Sequence, residues 1–161
     1  MEKRYGATAS QNGLFTIGRN KWALFYGFGK DNPEAESGYN YYHVFTGRKP
    51  SWDEVKALIV SQINANTDAK ILSGFVWKDM PVWLSFENQF NYKVDYDRAV
   101  QSGGKSLPVT FKFGTDDEVI YHSFESLNEI TDFYESATAF VKEALADGWA
   151  EKDSLKEEDF L

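Results

Sequence analysis

Apolar and polar positions alternate through the first third of the chain and recur at helical spacing through most of the rest. Between residues 22 and 28, Trp22, Leu24, Tyr26 and Phe28 fall in one phase, with Ala23, Phe25 and Gly27 in the other. A strand apolar on both faces is central or covered on two sides. Residues 39–45 are again strand-like, and 14–17 suit a short strand leading into a turn at 18–21. Residues 1–13, closing on the turn dipeptide Asn12-Gly13, read as a loose lead-in, and 31–38 as a loop.

A capping box follows at Ser51 and Glu54, where the serine hydroxyl and the glutamate carboxylate can each take an orphan backbone N–H. It predicts a helix to about Ala65 with the stripe Trp52, Val55, Leu58, Ile59 and Ile63, ended by Asn66-Thr67-Asp68. Residues 70–105 then read as a hairpin (70–79 and 80–84) feeding a helix. Gly74 suggests a bulge, Ser85 an N-cap, and Phe86, Phe90 and Val94 the apolar stripe. Gly103-Gly104 stops that helix.

The layout then repeats. Leu107, Val109, Phe111 and Phe113 alternate against Pro108, Thr110 and Lys112, and 118–124 return after a turn at 114–117. Ser126 and Glu129 form a second capping box. Leu127, Ile130, Tyr134, Ala137, Val141, Ala144 and Leu145 carry a strong 3.6-residue period, and Gly148 is placed to end it. The last segment, 151–161, holds five acids and two lysines and is expected to be mobile.

Together these elements predict an α+β fold. Two hairpin-helix units form an antiparallel sheet of about four strands with both helices on one face, and an N-terminal strand-rich segment with its own helix precedes them. The expected division is 1–66, an aromatic strand-rich segment ending in a capped helix; 67–150, a ββαββα domain; and 151–161, an acidic tail.

Composition narrows the function more than it names one. At 161 residues, a chain buries roughly 70% of the surface its unfolded form exposes and needs no staples. With no cysteine, disulfides, thiolate nucleophiles and the commonest structural zinc sites are excluded. The net charge of -8 argues against nucleic acid and against anionic membranes as partners. No apolar run reaches the roughly 20 residues of a membrane span, and the first residues lack the apolar core of a signal peptide, so the general secretory route is not expected.

Candidate chemistry is sparse. Gly27-Phe28-Gly29-Lys30-Asp31 has the wrong spacing for a phosphate loop, and Asp31 would repel phosphate; a turn after a strand is the simpler reading. His43 and His122 each sit in a strand with no carboxylate at ligand spacing. Asp95 and Asp97 do not face one another on a helix, and Asp116, Asp117 and Glu118 read as solvated turn residues. No cofactor, metal or catalytic residue is expected, and the chain is read as not an enzyme.

Aromatics are the outlier, at 17% of residues, and they concentrate before Pro50. Trp22, Phe25, Tyr26, Tyr39, Tyr41 and Tyr42 are the candidate interaction residues. Both phases of two strands cannot be buried in a small domain unless something covers one side: the rest of the chain, another subunit, or a sugar stacked on exposed rings. The last option makes the alternative reading a carbohydrate-binding module using Trp22, Tyr26 or Tyr41 as platforms.

The pattern Ile71-x-Ser73-x-Phe75, then Trp83, the following helix, the strand over 107–113 and the closing helix over 127–149 resembles an uncharacterised domain of proteins encoded by tailed bacteriophages and prophages, often near tail-fibre genes. The likeness covers roughly residues 65–150, and the segments 22–29 and 39–45 look like the companion part of versions from phages of gut bacteria. It implies a virion-associated or tail-associated structural or assembly role, with no catalytic residues to carry over. The expected partners are other phage structural proteins, with a homo-oligomer possible, and the expected location is the virion, assembled in the host cytoplasm.

Overall fold

A computed structural model describes residues 1–34 and 36–161. Among the described residues the fold is α+β, with three helices and antiparallel sheets. The chain forms two compact units, residues 1–64 with 150–161, and residues 65–149. Among the described residues no helix is long and apolar enough to cross a membrane.

The first unit is built on a four-stranded antiparallel sheet of β1 (Glu2–Ala7), β2 (Gly13–Gly18), β3 (Lys21–Lys30) and β4 (Tyr39–Thr46), in the order β1-β4-β3-β2. The expected loose lead-in is therefore corrected: residues 2–7 form an edge strand on β4. An edge strand needs no apolar face, and Glu2, Lys3 and Arg4 are the charged residues that protect such edges. Asn20 turns β2 into β3 with φ 55, a left-handed conformation asparagine tolerates. The loop expected over 31–38 contains residue 35, which lies outside the described residues; Asp31 N–H donates to Gly38 O at 3.1 Å.

Helix α1 (Trp52–Ser73) covers one face of this sheet, with Val55, Ile59 and Ile63 packed against Leu24, Tyr26 and Phe160. Its capping box is in place, with Ser51 N–H donating to Glu54 Oε2 at 2.9 Å and Glu54 N–H to Ser51 Oγ at 3.4 Å. The helix does not stop at Asn66-Thr67-Asp68. It runs to Ser73, so Ile71 and Ser73 are helical and Gly74 is no bulge: its N–H donates to Lys70 O at 2.8 Å, closing the last turn.

The acidic tail also differs from expectation. Helix α3 (Leu127–Asp153) is followed by a 3-10 turn (Glu157–Asp159), and Phe160 is buried against Trp52 and Tyr26, with centroids 5.9 and 6.2 Å away. Leu14 N–H on edge strand β2 donates to Phe160 O at 2.9 Å. The segment's charges flank two apolar anchors, Phe160 and the partly buried Leu155.

In the second unit, β5 (Phe75–Trp77) and β6 (Met80–Val82) form a hairpin. Lys78 and Asp79 sit at φ 47 and 62, as a two-residue primed turn requires. Helix α2 (Phe86–Gln101) starts at Ser85, whose Oγ accepts from Asn88 N–H at 3.2 Å, and ends before Gly103 and Gly104, both at positive φ. Strands β7 (Val109–Gly114) and β8 (Val119–Phe124) form the second hairpin. The two hairpins pair within themselves and not with each other, so the expected four-stranded sheet of this unit is two two-stranded ladders. A shared aromatic core joins them: Trp77, Phe111, Phe113, Phe124 and Phe133 are all buried, and Phe133 lies 5.2–5.8 Å from the other four rings.

Two expectations about helix faces are overturned here. Gly148 does not end α3, which continues to Asp153. The stripe Phe86, Phe90 and Val94 does not face the core: these residues are 87%, 59% and 39% exposed. Helix α2 instead buries Tyr92 and Ala99, with Tyr96 stacked on Tyr134 at 4.3 Å. Burial pushes the Tyr92 phenol up to about 12.

Candidate functional site

Strand register divides the six candidate interaction residues between the two faces of the first unit's sheet. Trp22 pairs with Thr46, Leu24 with Val44, and Tyr26 with Tyr42, all in the phase that meets α1. Tyr26 is only 5% exposed. Burial, and then the hydrogen bond its hydroxyl donates to Glu151 Oε1, raise its pKa well above that of an ordinary phenol. Trp22 carries Lys49 Nζ 5.5 Å from its ring centroid, and Tyr42 carries Lys3 Nζ at 5.6 Å.

The opposite face holds Phe25 and Tyr41, with four rings that the alternation did not nominate. Register shifts between Tyr26 and Gly29, where Gly27 takes φ 68. This β-bulge places an extra residue in β3 and moves Phe28 to the other face. There it stacks on Tyr41 at 5.0 Å with the planes 16° apart. Phe25 meets Tyr41 edge-on at 5.3 Å, Phe15 lies 5.6 Å from Phe25, and His43 lies 4.8 Å from Phe45. Phe15, Phe25, Phe28, Tyr41, His43 and Phe45 thus run as one row of rings across β2, β3 and β4. None of them belongs to the core of either unit, and Phe45 is 60% exposed. Tyr39 shares the phase of Tyr41 on β4 and carries Lys30 Nζ at 4.8 Å.

His43 is the polar member of the row and is 5% exposed. Its Nε2 accepts from Arg4 Nε at 3.0 Å, and Glu2 Oε2 stands 3.4 Å away. With Nε2 an acceptor, the proton belongs on Nδ1, which is buried and has no partner among the described residues. An unsatisfied buried donor costs about 1–3 kcal/mol. The signal for this face was present in the sequence as Gly27, a glycine inside the strand able to take the bulge conformation at no steric cost. The phosphate-loop fragment is accordingly a bulge inside β3, not a turn after it. Trp22, Tyr26 and Tyr41, named as sugar platforms, do not share a face.

In the second unit, His122 Nε2 and Lys78 Nζ each lie 3.1 Å from Glu129 Oε1, and Trp77 Nε1–H donates to Asp132 Oδ2 at 2.9 Å. Burial pushes the Glu129 carboxyl up, Lys78 and His122 pull it down, and the balance lies below the ordinary range. The cluster ties the first hairpin and β8 to the start of α3. The cavity of about 430 Å³ beside β6 and β7 and the groove of about 350 Å³ between α2 and α3 are lined by other residues. Asp97 pairs with Lys93, and the Asp116-Asp117 turn is closed by Thr115 and Glu118. Among the described residues no group of three or more metal-ligating side chains comes together.

No family model, no curated protein and no solved structure matches this chain.

Proposed function

We propose that this chain is a non-enzymatic structural or assembly protein of a tailed bacteriophage, virion-associated or tail/fibre-associated, that acts through protein–protein contacts. The row of rings on the face of the β1-β4-β3-β2 sheet opposite α1 carries the contact part of this reading. Phe45 is 60% exposed and Phe15, Phe25, Phe28 and Tyr41 are half-buried; apolar surface left uncovered marks interaction sites, and aromatic rings are enriched in the cores of such interfaces. The phage setting rests on the resemblance of residues 65–150 alone. The partners are other phage structural proteins, and the place of action is the virion, assembled in the host cytoplasm. Mass spectrometry of purified particles and of assembly intermediates tests it. The chain is expected in one of them, and its absence from both would overturn the reading.

A further inference from the structure

We propose that α2 is a self-association helix, whose exposed stripe of Phe86, Phe90 and Val94 packs antiparallel against the same stripe of a second copy. This surface involves none of the residues of the sheet face, so either reading can fail without the other.

The first support is the direction of the stripe. Phe86, Phe90 and Val94 recur at i, i+4 and i+8 and form a narrow seam, as helix pairs use. They remain 87%, 59% and 39% exposed while Tyr92 and Ala99 hold the helix to its own core. Beside the seam, Phe86 and Phe90 line one wall of a groove of about 350 Å³, with Tyr134, Thr138 and Val141 of α3 opposite. An apolar side chain from a facing helix has a place to go.

The second support is charge, and it selects the occupant. Glu87 and Arg98 are about three helical turns apart and so lie on the same flank of the seam. Neither makes an ion pair among the described residues, whereas the neighbouring Lys93 is held by Asp97 at 2.6 Å. In a two-fold antiparallel pair centred between Phe90 and Val94, Phe90 of each copy meets Val94 of the other. Arg98 of each copy then lies one residue out of step with Glu87 of the other, twice; the residue level with Glu87 is Asp97, whose charge Lys93 already pairs at 2.6 Å. A foreign helix of one charge sign would satisfy one of these residues and repel the other. The flank is complementary to itself.

The seam exposes apolar area on the order of 300 Å² per copy, below the roughly 800 Å² per partner of a standard interface. The pair is therefore a weak, reversible dimer. Sedimentation velocity on the full chain from low micromolar to millimolar concentration tests this. The expected result is a reversible monomer–dimer equilibrium. Phe90→Asp should abolish it with thermal unfolding unchanged, and Phe86→Ser serves as a second variant should the aspartate unfold the protein. Glu87→Arg and Arg98→Glu should each weaken the dimer several-fold, and the double swap should restore it. A monomer at every concentration, a dimer indifferent to the seam variants, or a double swap as weak as the singles would overturn the proposal.

Discussion

Gly148 of α3 lies against Thr67 of α1, so closely that a Cβ at Gly148 would stand 2.5 Å from Thr67 Oγ1. That contact explains a glycine in the interior of a helix, where it costs about 1 kcal/mol relative to alanine. Gly148→Ala would recover that propensity but overpack the contact, at about 1–3 kcal/mol. The net expected change is a loss of about 1 kcal/mol in urea denaturation. Thr67→Ala leaves only the Thr67 Cβ, 3.6 Å away, which is ordinary contact. Adding it to Gly148→Ala should restore stability. A single Gly148→Ala variant more stable than the native chain would refute the steric reading.

Phe160 sits second from the end of the sequence and is 7% exposed, packed with Trp52, Tyr26, Val55 and Ile59. Phe160→Ala should destabilise the first unit by about 3 kcal/mol, the usual cost of emptying a buried phenylalanine site. A loss under about 0.5 kcal/mol, the range of ordinary surface changes, would return residues 151–161 to the standing of a solvated tail.

The Glu54 carboxyl is held at about 2, by the Arg48 guanidinium first and the Ser51 N–H second, against an ordinary value of 4.5. A carboxyl depressed in the folded state favours folding above its unfolded pKa, and that contribution disappears as pH falls through the folded value. The window is therefore pH 4.5 down to about 2. The pair is exposed, so added salt should weaken the effect. In a carbon-detected NMR titration Arg48→Ala should move the Glu54 midpoint upward. A native midpoint near 4.5 would show that the guanidinium contact is not kept in solution.

Much of the scaffold was legible from local signals whose meaning depends on few neighbours. Ser85, Ser51 with Glu54, and Gly103-Gly104 marked helix ends through the backbone groups they satisfy. Leu107 to Phe113 alternated because one face of a hairpin is buried. The losses came where tertiary contacts overrode those rules. Asn66-Thr67-Asp68 reads as a helix stop, yet α1 continues through it and Thr67 packs on Gly148. Strand β1 buries no apolar face because it is an edge. Only half of the second capping box forms: Glu129 N–H reaches Ser126 Oγ at 3.3 Å, while the carboxylate goes to Lys78 and His122. At the candidate site, strict alternation placed Phe28 with Trp22 and Tyr26, and a single bulge at Gly27 put it against Tyr41. Phe86 and Phe90 had the right spacing for a core stripe, but period alone cannot say which of two apolar stripes on α2 turns inward.

The most informative measurement follows the sheet face into the particle. Phe28→Ser, Tyr41→Ser and Phe45→Ser would be introduced singly into the full chain, and each variant's abundance in purified particles and assembly intermediates compared with the native chain's by mass spectrometry. Phe45→Ser is the cleanest of the three, since the ring is 60% exposed and its loss should leave thermal unfolding nearly unchanged. The expected result is folded protein that no longer co-purifies. Undiminished incorporation of all three folded variants would contradict the assignment of the working surface to this face.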